Sequence, residues 1–407
     1  MLTEEQIEKL VAEDHAGLPG VTDPGMQKTL KTVLANTQKA INEDTTVTGN
    51  VAQFTPVIMS LIRRTLPTLV GPQMIGLQAL TQPTGRIFVE RVYAGANEVW
   101  GTGPIGEATA AGAAPDPAFS GPYATADGEA FGWKDYAGGK EWPEMSYGID
   151  SMDVSVKTRL IKARLTQEVI TDLRTVHGID ANQELANILQ SEMTAEIDRE
   201  IVGRVIKEAK IGAQNCATKG TFDFAVDADG RWSMEKVMGL LIQIEREATW
   251  IAQETRRGRG NFILTSPEVS SYLAMANLIS TRHQNTGFTP IVNPVGVSYY
   301  GMLCNRFKVF VDPYMTYSSA DGVAKHTVVV GFRGASQYDA GMFYCPYVPV
   351  QMYQATGSED FNARLGIKSR YGLVSNPYTI EPASLKNGQI EAVENTNSFY
   401  RKFAVVL

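Results

Sequence analysis

Four histidines, His15, His177, His283 and His326, are the side chains best suited to carry a proton near neutral pH, and they are widely separated. None sits in an H-x-x-x-H or H-x-E context, so nothing local writes a metal site or a Ser/His/Asp relay. An enzyme built from them, a hydrolase or transferase in the α/β stretch 211–334, needs histidine and carboxylates to converge there in a pocket. The three cysteines, Cys216, Cys304 and Cys345, are far apart and odd in number, with no CxxC pair. Zinc ribbons, redox motifs and a disulfide framework are therefore not expected, and the thiols read as small buried side chains. No G-x-x-x-x-G-K-[ST] loop is present. Gly258-Arg259-Gly260 follows a helical pattern and precedes a strand, whereas a phosphate cradle opens a helix. Arg256, Arg257 and Arg259 still concentrate charge in one short turn, suited to a solvated surface or to an acidic or nucleic-acid contact. No cofactor and no metal is expected. The enzyme reading is weak.

What positions these residues is a chain of 407 with 43% hydrophobic residues, enough for real cores and for two or three domains. Its 37 basic and 44 acidic residues leave a net charge of −7, so contact with nucleic acid must be a local patch. The acidic start, MLTEEQIEKL, does not read as a secretory signal, and apolar runs such as 328–330 and 403–407 are far too short to span a bilayer. The expectation is a soluble intracellular chain with no membrane partner.

Residues 1–50 read as an arm. Gly17-Leu18-Pro19-Gly20 and Asp23-Pro24-Gly25 break regular structure; then Leu30, Val33, Leu34, Thr37 and Ile41 recur at helical spacing. A single amphipathic helix has no core of its own, so it must dock on its own body or on an adjacent chain. A helix capped by Thr55 with Pro56 at its first position follows, and residues 85–92 alternate as a strand. From 93 to 149 glycine, proline and alanine dominate, yet Trp100, Tyr123, Phe131, Trp133, Tyr136, Trp142 and Tyr147 punctuate the segment. So long a loop, and so aromatic, reads as an extended element lying on another subunit.

Met152, Val154 and Val156 form the returning strand of that long hairpin. A helix from Asn182 to Ala209 follows, its stripe made of Leu185, Ile188, Leu189, Met193, Ile197, Ile201, Val205 and Ala209. At about 40 Å it would act as a spine. Beyond 211, helices beginning near Ser233 and Ser266 alternate with strands at 261–265, 307–311 and 327–332, a compact α/β unit. Strand-like text returns at 342–350 and 365–373.

Two stretches resemble the major capsid proteins of T-even-type contractile-tailed bacteriophages. One runs from Thr55-Pro56-Val57-Ile58 to Leu66-Pro67 and on through Gly76-Leu77-Gln78-Ala79-Leu80-Thr81-Gln82-Pro83-Thr84-Gly85-Arg86-Ile87-Phe88. The other runs Tyr338-Asp339-Ala340-Gly341-Met342-Phe343-Tyr344-Cys345-Pro346-Tyr347-Val348-Pro349-Val350-Gln351, then Gly366-Ile367-Lys368-Ser369-Arg370-Tyr371-Gly372 to Tyr378. They stand in the family's order and cover about a fifth of the chain.

The resemblance implies an α+β, HK97-like capsid fold. Its pieces would be the N-terminal arm (1–50), a first P-domain segment (51–92), the extended E-loop (93–151), the P-domain with its spine helix (152–210), the axial A-domain (211–334) and a P-domain return with the C-terminal segment (335–407). The implied work is self-assembly into hexameric capsomers of an icosahedral head enclosing double-stranded DNA. The chain would be assembled in the bacterial host cytoplasm and found in the virion. Vertex, decoration, scaffold and portal proteins are the implied partners, with packaged DNA in weak contact. The arm helix would dock on an adjacent chain and tie capsomers together, the E-loop aromatics would make subunit contacts, and Arg256, Arg257 and Arg259 would lie among the loops at the capsomer centre. Relatives carry a folded insertion in the E-loop, for which this segment is too short. They also lose a propeptide after Glu in a Leu/Ile-x-Glu context; Ile41-Asn42-Glu43 fits, and Leu10-Val11-Ala12-Glu13 fits loosely. The expectation is nevertheless an uncleaved chain. An encapsulin-type cellular shell is the rival within the same fold.

Overall fold

The long amphipathic stripe forms helix α4 (Ala181–Glu208), 28 residues and so about 42 Å in length. The computed structural model describes residues 24–43, 71–94, 97–98, 125, 144–178, 181–228, 232–255, 257–276, 279–280, 298–315, 317–318, 324–335, 339–357, 362–376 and 394–407. The helix expected after Pro56 lies outside them. On α4, Leu189, Met193, Ile197, Ile201 and Val205 are buried as the stripe requires. Ile188 instead faces outward, 54% exposed, and Ala209 begins the next strand.

Against α4 lies a four-stranded sheet in the order β1 (Gly76–Leu77), β14 (Met342–Thr356), β15 (Ala363–Ser375), β5 (Lys157–Leu165). The β14–β15 hairpin pairs from Met342↔Ser375 to Thr356↔Ala363 and is its backbone. Its register shifts twice, between Pro346 and Val348 and between Val348 and Gln351. Pro346 and Pro349 cannot donate to the ladder, which accounts for irregularity at those two places. Arg159 of β5 ties the sheet to α4 through Glu196 at 2.6 Å and Glu200 at 2.5 Å.

The first helix, α1 (Pro24–Glu43), docks on this same body rather than waiting for a neighbour. Leu30, Val33 and Leu34 are at most 3% exposed within the main core. Asn36 Nδ2 donates to the carbonyls of Leu80 (2.6 Å) and Tyr347 (3.2 Å), fixing the helix beside β14. The expected tie between chains is thus corrected: the helix packs on β14 of the same chain, in one core with Ile75, Leu77 and Met74, the last residue of the short helix α2 (Gly71–Met74).

Strands β2 (Thr84–Ala94) and β4 (Met145–Ser155) pair without a break from Thr84↔Ser155 to Ala94↔Met145, and β3 (Asn97–Glu98) folds back on β2. A small second core of Leu80, Ile87, Met152, Val154, Phe343 and Cys345 roots this ribbon on the sheet. Only Val156 separates β4 from β5. Helix α3 (Gln167–Asp172) and a π-helical turn (Leu173–His177) then lead to α4, with Gly178 in the left-handed region (φ 65°) closing the turn.

The α/β unit is a nine-stranded sheet with path β6 (Ala209–Ile211), β16 (Asn397–Val406), β13 (Ala324–Gly331), β8 (Phe262–Thr265), β11 (Phe307–Val311), β10 (Ser298–Leu303), β9 (Ile279–Ser280). β7 (Thr221–Asp223) pairs β16, and β12 (Tyr317–Ser318) pairs β13. Helices α5 (Ser233–Thr255) and α6 (Pro267–Met275) cover it. Residues 335–407 are shared between sheets: β14 and β15 lie with α4, while β16 is embedded in the α/β sheet. That embedding welds the two units, since β16 pairs six residues of β13 and also touches β6 at the end of α4.

Candidate functional site

Among the described residues one histidine does meet a hydroxyl and a carboxylate. His326 on β13 has Nδ1 3.2 Å from Ser266 Oγ, and its Nε2 lies 2.9 Å from Glu268 Oε2. Ser266 precedes Pro267 at the start of α6, so the trio joins the first turn of α6 to β13. A nucleophile needs an approach path, and Ser266 is 0% exposed while His326 is 2% exposed. One cleft of about 370 Å³ lies on the outer face of α5, and another of about 1120 Å³ lies between β4–β5, α4 and β15. Neither is lined by any of the three. The arrangement is a polar clamp in which Ser266 and His326 are buried and Glu268 reaches the surface. Among the described residues no cluster of His, Cys, Asp and Glu could hold a metal ion. His15 and His283 lie outside the described residues, and of His177 only the backbone is described.

The thiols divide. Cys345 is buried, and burial pushes its pKa up to about 12. Cys216 is half-buried and raised to about 11 by burial, then by Asp227 and Glu247. Cys304 is exposed, which corrects the expectation of three buried thiols. It sits with Asn305 in the left-handed turn joining β10 to β11 (φ 50° and 55°), and a reversal that tight lies on the surface.

The basic turn is held by its own chain. Arg257 pairs with Asp339. Arg259 bonds Thr249 Oγ1 at 2.5 Å and approaches Glu245 at 3.5 Å, a carboxylate that also accepts Arg306 at 2.8 and 2.9 Å. Arg256 lies outside the described residues. Glu43 is the last residue of α1 and Glu13 lies outside.

Of the aromatic candidates only Tyr147 is described; Trp100, Tyr123, Phe131, Trp133, Tyr136 and Trp142 lie outside. Tyr147 is 58% exposed on β4, and Met145 and Ile149, two residues to either side and thus on the same face, are each 62% exposed. A three-stranded ribbon with such a face keeps it from water only against another body.

Sequence reasoning missed a second outward apolar stripe. On α5, Val237, Leu240, Ile244, Ala248 and Ile251 fill the core, while Met234, Met238 and Ile242 point away, 51%, 46% and 55% exposed. Trp232, 73% exposed, adds to it. The spacing of four was readable, but the inner stripe already accounted for a helix. Also missed was the buried charge network that locks α5 to β16. Arg401 meets Glu247 at 3.0 Å and Glu254 at 2.6 Å, and Lys210 reaches Glu254 at 3.2 Å. Glu247 also accepts from the Ala213 backbone (2.7 Å) and Gln243 (2.8 Å), and Arg401 lies 4.7 Å over the Trp250 ring.

The candidate surfaces among the described residues therefore face outward, a geometry for association. The family model of the major capsid protein Gp23 matches residues 51–123 and 101–405. The chain is 32% identical to the major capsid protein of Vibrio phage KVP40, the match covering 88% of this chain and 84% of that protein. It is 29% identical to the major capsid protein of Enterobacteria phage T4, over 88% and 83%. Among solved structures, the head of Helicobacter pylori bacteriophage KHP40 matches with a TM-score of 0.45 at 9% identity, covering 81% of this chain and 86% of that one.

Proposed function

Because the chain belongs to the Gp23 family of major capsid proteins, we propose that it builds the wall of an icosahedral phage head from hexameric capsomers, by contact between surfaces rather than by catalysis. The observation that carries this reading is the apolar face of Met145, Tyr147 and Ile149 on a projecting ribbon. A heterologous contact, ribbon of one subunit on the body of the next, closes into rings and leaves no partner unsatisfied. The burial of Ser266 and His326 supports a structural role over a hydrolytic one.

In this reading residues 93–151 are the E-loop and its aromatics, Trp100 to Tyr147, are subunit contacts. Residues 211–334 with β16 form the A-domain, and the α4 body with β14 and β15 forms the P-domain. The match to the family model falls into two parts that overlap at 101–123, which supports the absence of the relatives' inserted E-loop domain. The turn at Arg256, Arg257 and Arg259 lies towards the capsomer centre, its arginines braced by Asp339 and Glu245. Vertex, decoration, scaffold and portal proteins complete the head. Packaged DNA touches the wall weakly, in keeping with a net charge of −7.

The chain stays uncleaved at Glu43. Removing α1 would expose Leu30, Val33 and Leu34 and strip the Asn36 bonds from Leu80 and Tyr347. A cut at Glu13 would spare the helix. No helix among the described residues is long and apolar enough to cross a membrane.

The test is negative-stain microscopy and sedimentation of the expressed chain, alone and with a scaffold. Hexameric rings or closed shells are expected. A monodisperse monomer under both conditions would overturn the shell reading.

A further inference from the structure

Among the described residues the chain passes three times between the α4 body and the α/β unit. It goes from α4 into β6 at Glu208, from β13 to β14 across 331–342, and from β15 to β16 across 375–397. All three passages meet at one buried carboxylate. Glu208, 1% exposed, accepts Ser375 Oγ at 2.6 Å and Arg204 Nε at 2.9 Å on one oxygen, and Asn397 Nδ2 at 3.4 Å on the other. Asn397 also donates to the carbonyl of Gly341 at 2.9 Å, which brings in the passage to β14. A Cβ on Gly341 would stand 2.6 Å from Phe399 Cβ, so the backbones meet here as closely as glycine allows. Lys402 Nζ holds the Ile206 carbonyl in the last turn of α4 at 2.8 Å.

A second attachment is of another kind. Nine residues back along α4, about 13 Å, the exposed Arg199 lies over the ring of Tyr314, its guanidinium carbon 4.2 Å from the centroid. Tyr314, 53% exposed, stands in the turn after β11, and its N–H bonds Asp312 Oδ1 at 3.0 Å. A cation–π contact in water is weak, whereas a buried carboxylate does not readily give up its donors.

We propose that the two units are joined by a buried pin at Glu208 and an exposed clasp at Arg199–Tyr314, and that the clasp opens while the pin holds, letting the α/β unit turn on the end of α4. The pin is built from element ends: Glu208 closes α4, Ser375 closes β15 and Asn397 opens β16. Such positions are where a hinge absorbs its change of backbone angle. β16 travels with the sheet it is embedded in, so no strand pairing of the α/β unit has to break. The joint belongs to the single chain. In a shell it would let one sequence serve positions whose neighbours stand at different angles.

The test uses the unassembled full-length chain with spin labels on Ile188→Cys, exposed on α4, and Met275→Cys, exposed at the end of α6. Cys216→Ser/Cys304→Ser removes the two accessible thiols. Pulsed electron–electron resonance should give two distances, and Arg199→Gln should at least double the share of the minor one with an unchanged thermal melt. Tyr314→Ala serves if Arg199→Gln alters the melt. Tyr314→Phe keeps the ring under the cation and should leave both shares as they were. Glu208→Gln, which removes the ion pair from the pin, should broaden both distances. A single distance that Arg199→Gln and Tyr314→Ala leave untouched would overturn the proposal, and so would a clasp variant that raises amide exchange at 312–315 without a second distance, since the turn would then fray by itself. Assembly does not enter the measurement, so its failure leaves the shell reading standing.

Discussion

Arg401 stands 7% exposed between Glu247 and Glu254, which are at most 2% exposed, so removing its guanidinium leaves two carboxylates in the interior without their main partner. Arg401→Met should cost about 3–5 kcal/mol, the usual penalty for stranding a buried charge, read as a lower midpoint in urea unfolding. Replacing all three by apolar residues of similar volume should cost far less, because the penalty belongs to the stranded charges. Close packing sets a second residue-scale constraint. A Cβ on Gly331 would sit 2.2 Å from Phe262 Cζ, inside a core where that ring is 1% exposed. Gly331→Ala should destabilise by roughly 1–3 kcal/mol on the same measurement. The thiols give a pH-linked readout. A thiol raised by burial reacts only as pH climbs towards its pKa, so at pH 8 the exposed Cys304 should be alkylated first and Cys345, near 12, only on unfolding. Mass mapping of the modified peptides settles the order; early labelling of Cys345 would contradict the core packing.

At the scale of elements, α1 was read correctly as an amphipathic helix and given the wrong partner. Periodicity states that a face must be buried and says nothing about which surface covers it. Since that surface is the chain's own body, Leu30→Ala should lower the unfolding free energy by about 2–5 kcal/mol whatever the protein concentration. A helix docked on a neighbour would show the loss only at concentrations where subunits associate. α5 presents the converse case, with one stripe in the core and Met234, Met238 and Ile242 outside. The ribbon is a third, thin enough that its apolar face adds nothing to its own chain's stability. Met145→Ser/Tyr147→Ser/Ile149→Ser should leave the monomer's melt within about 1 kcal/mol of unaltered, in line with surface substitutions, yet prevent rings in negative stain.

For the whole molecule, the weld between the two units sets how the chain unfolds. β16 lies between β6 and β13, so the α/β unit and the α4 body should unfold in one transition by circular dichroism rather than in two.

Much of this was legible in residue order. The spine of residues 182–209 and the strands at 85–92, 261–265, 307–311, 327–332, 342–350 and 365–373 all follow from periods of 3.6 and 2, which are local. The resemblance carried by 55–88 and 338–378 pointed to the family to which the chain belongs. What only the tertiary structure decided depends on pairs far apart in the chain. Nothing near residue 397 announces that the last strand will lie between residues 209–211 and 324–331. Arg401, Glu247 and Glu254 read singly as ordinary surface charges, and His326 as an isolated histidine 58 positions from Glu268. A sequence displays the period of each segment; partner choice is set by complementary shape and charge across the folded chain, and these exist only once the segments meet.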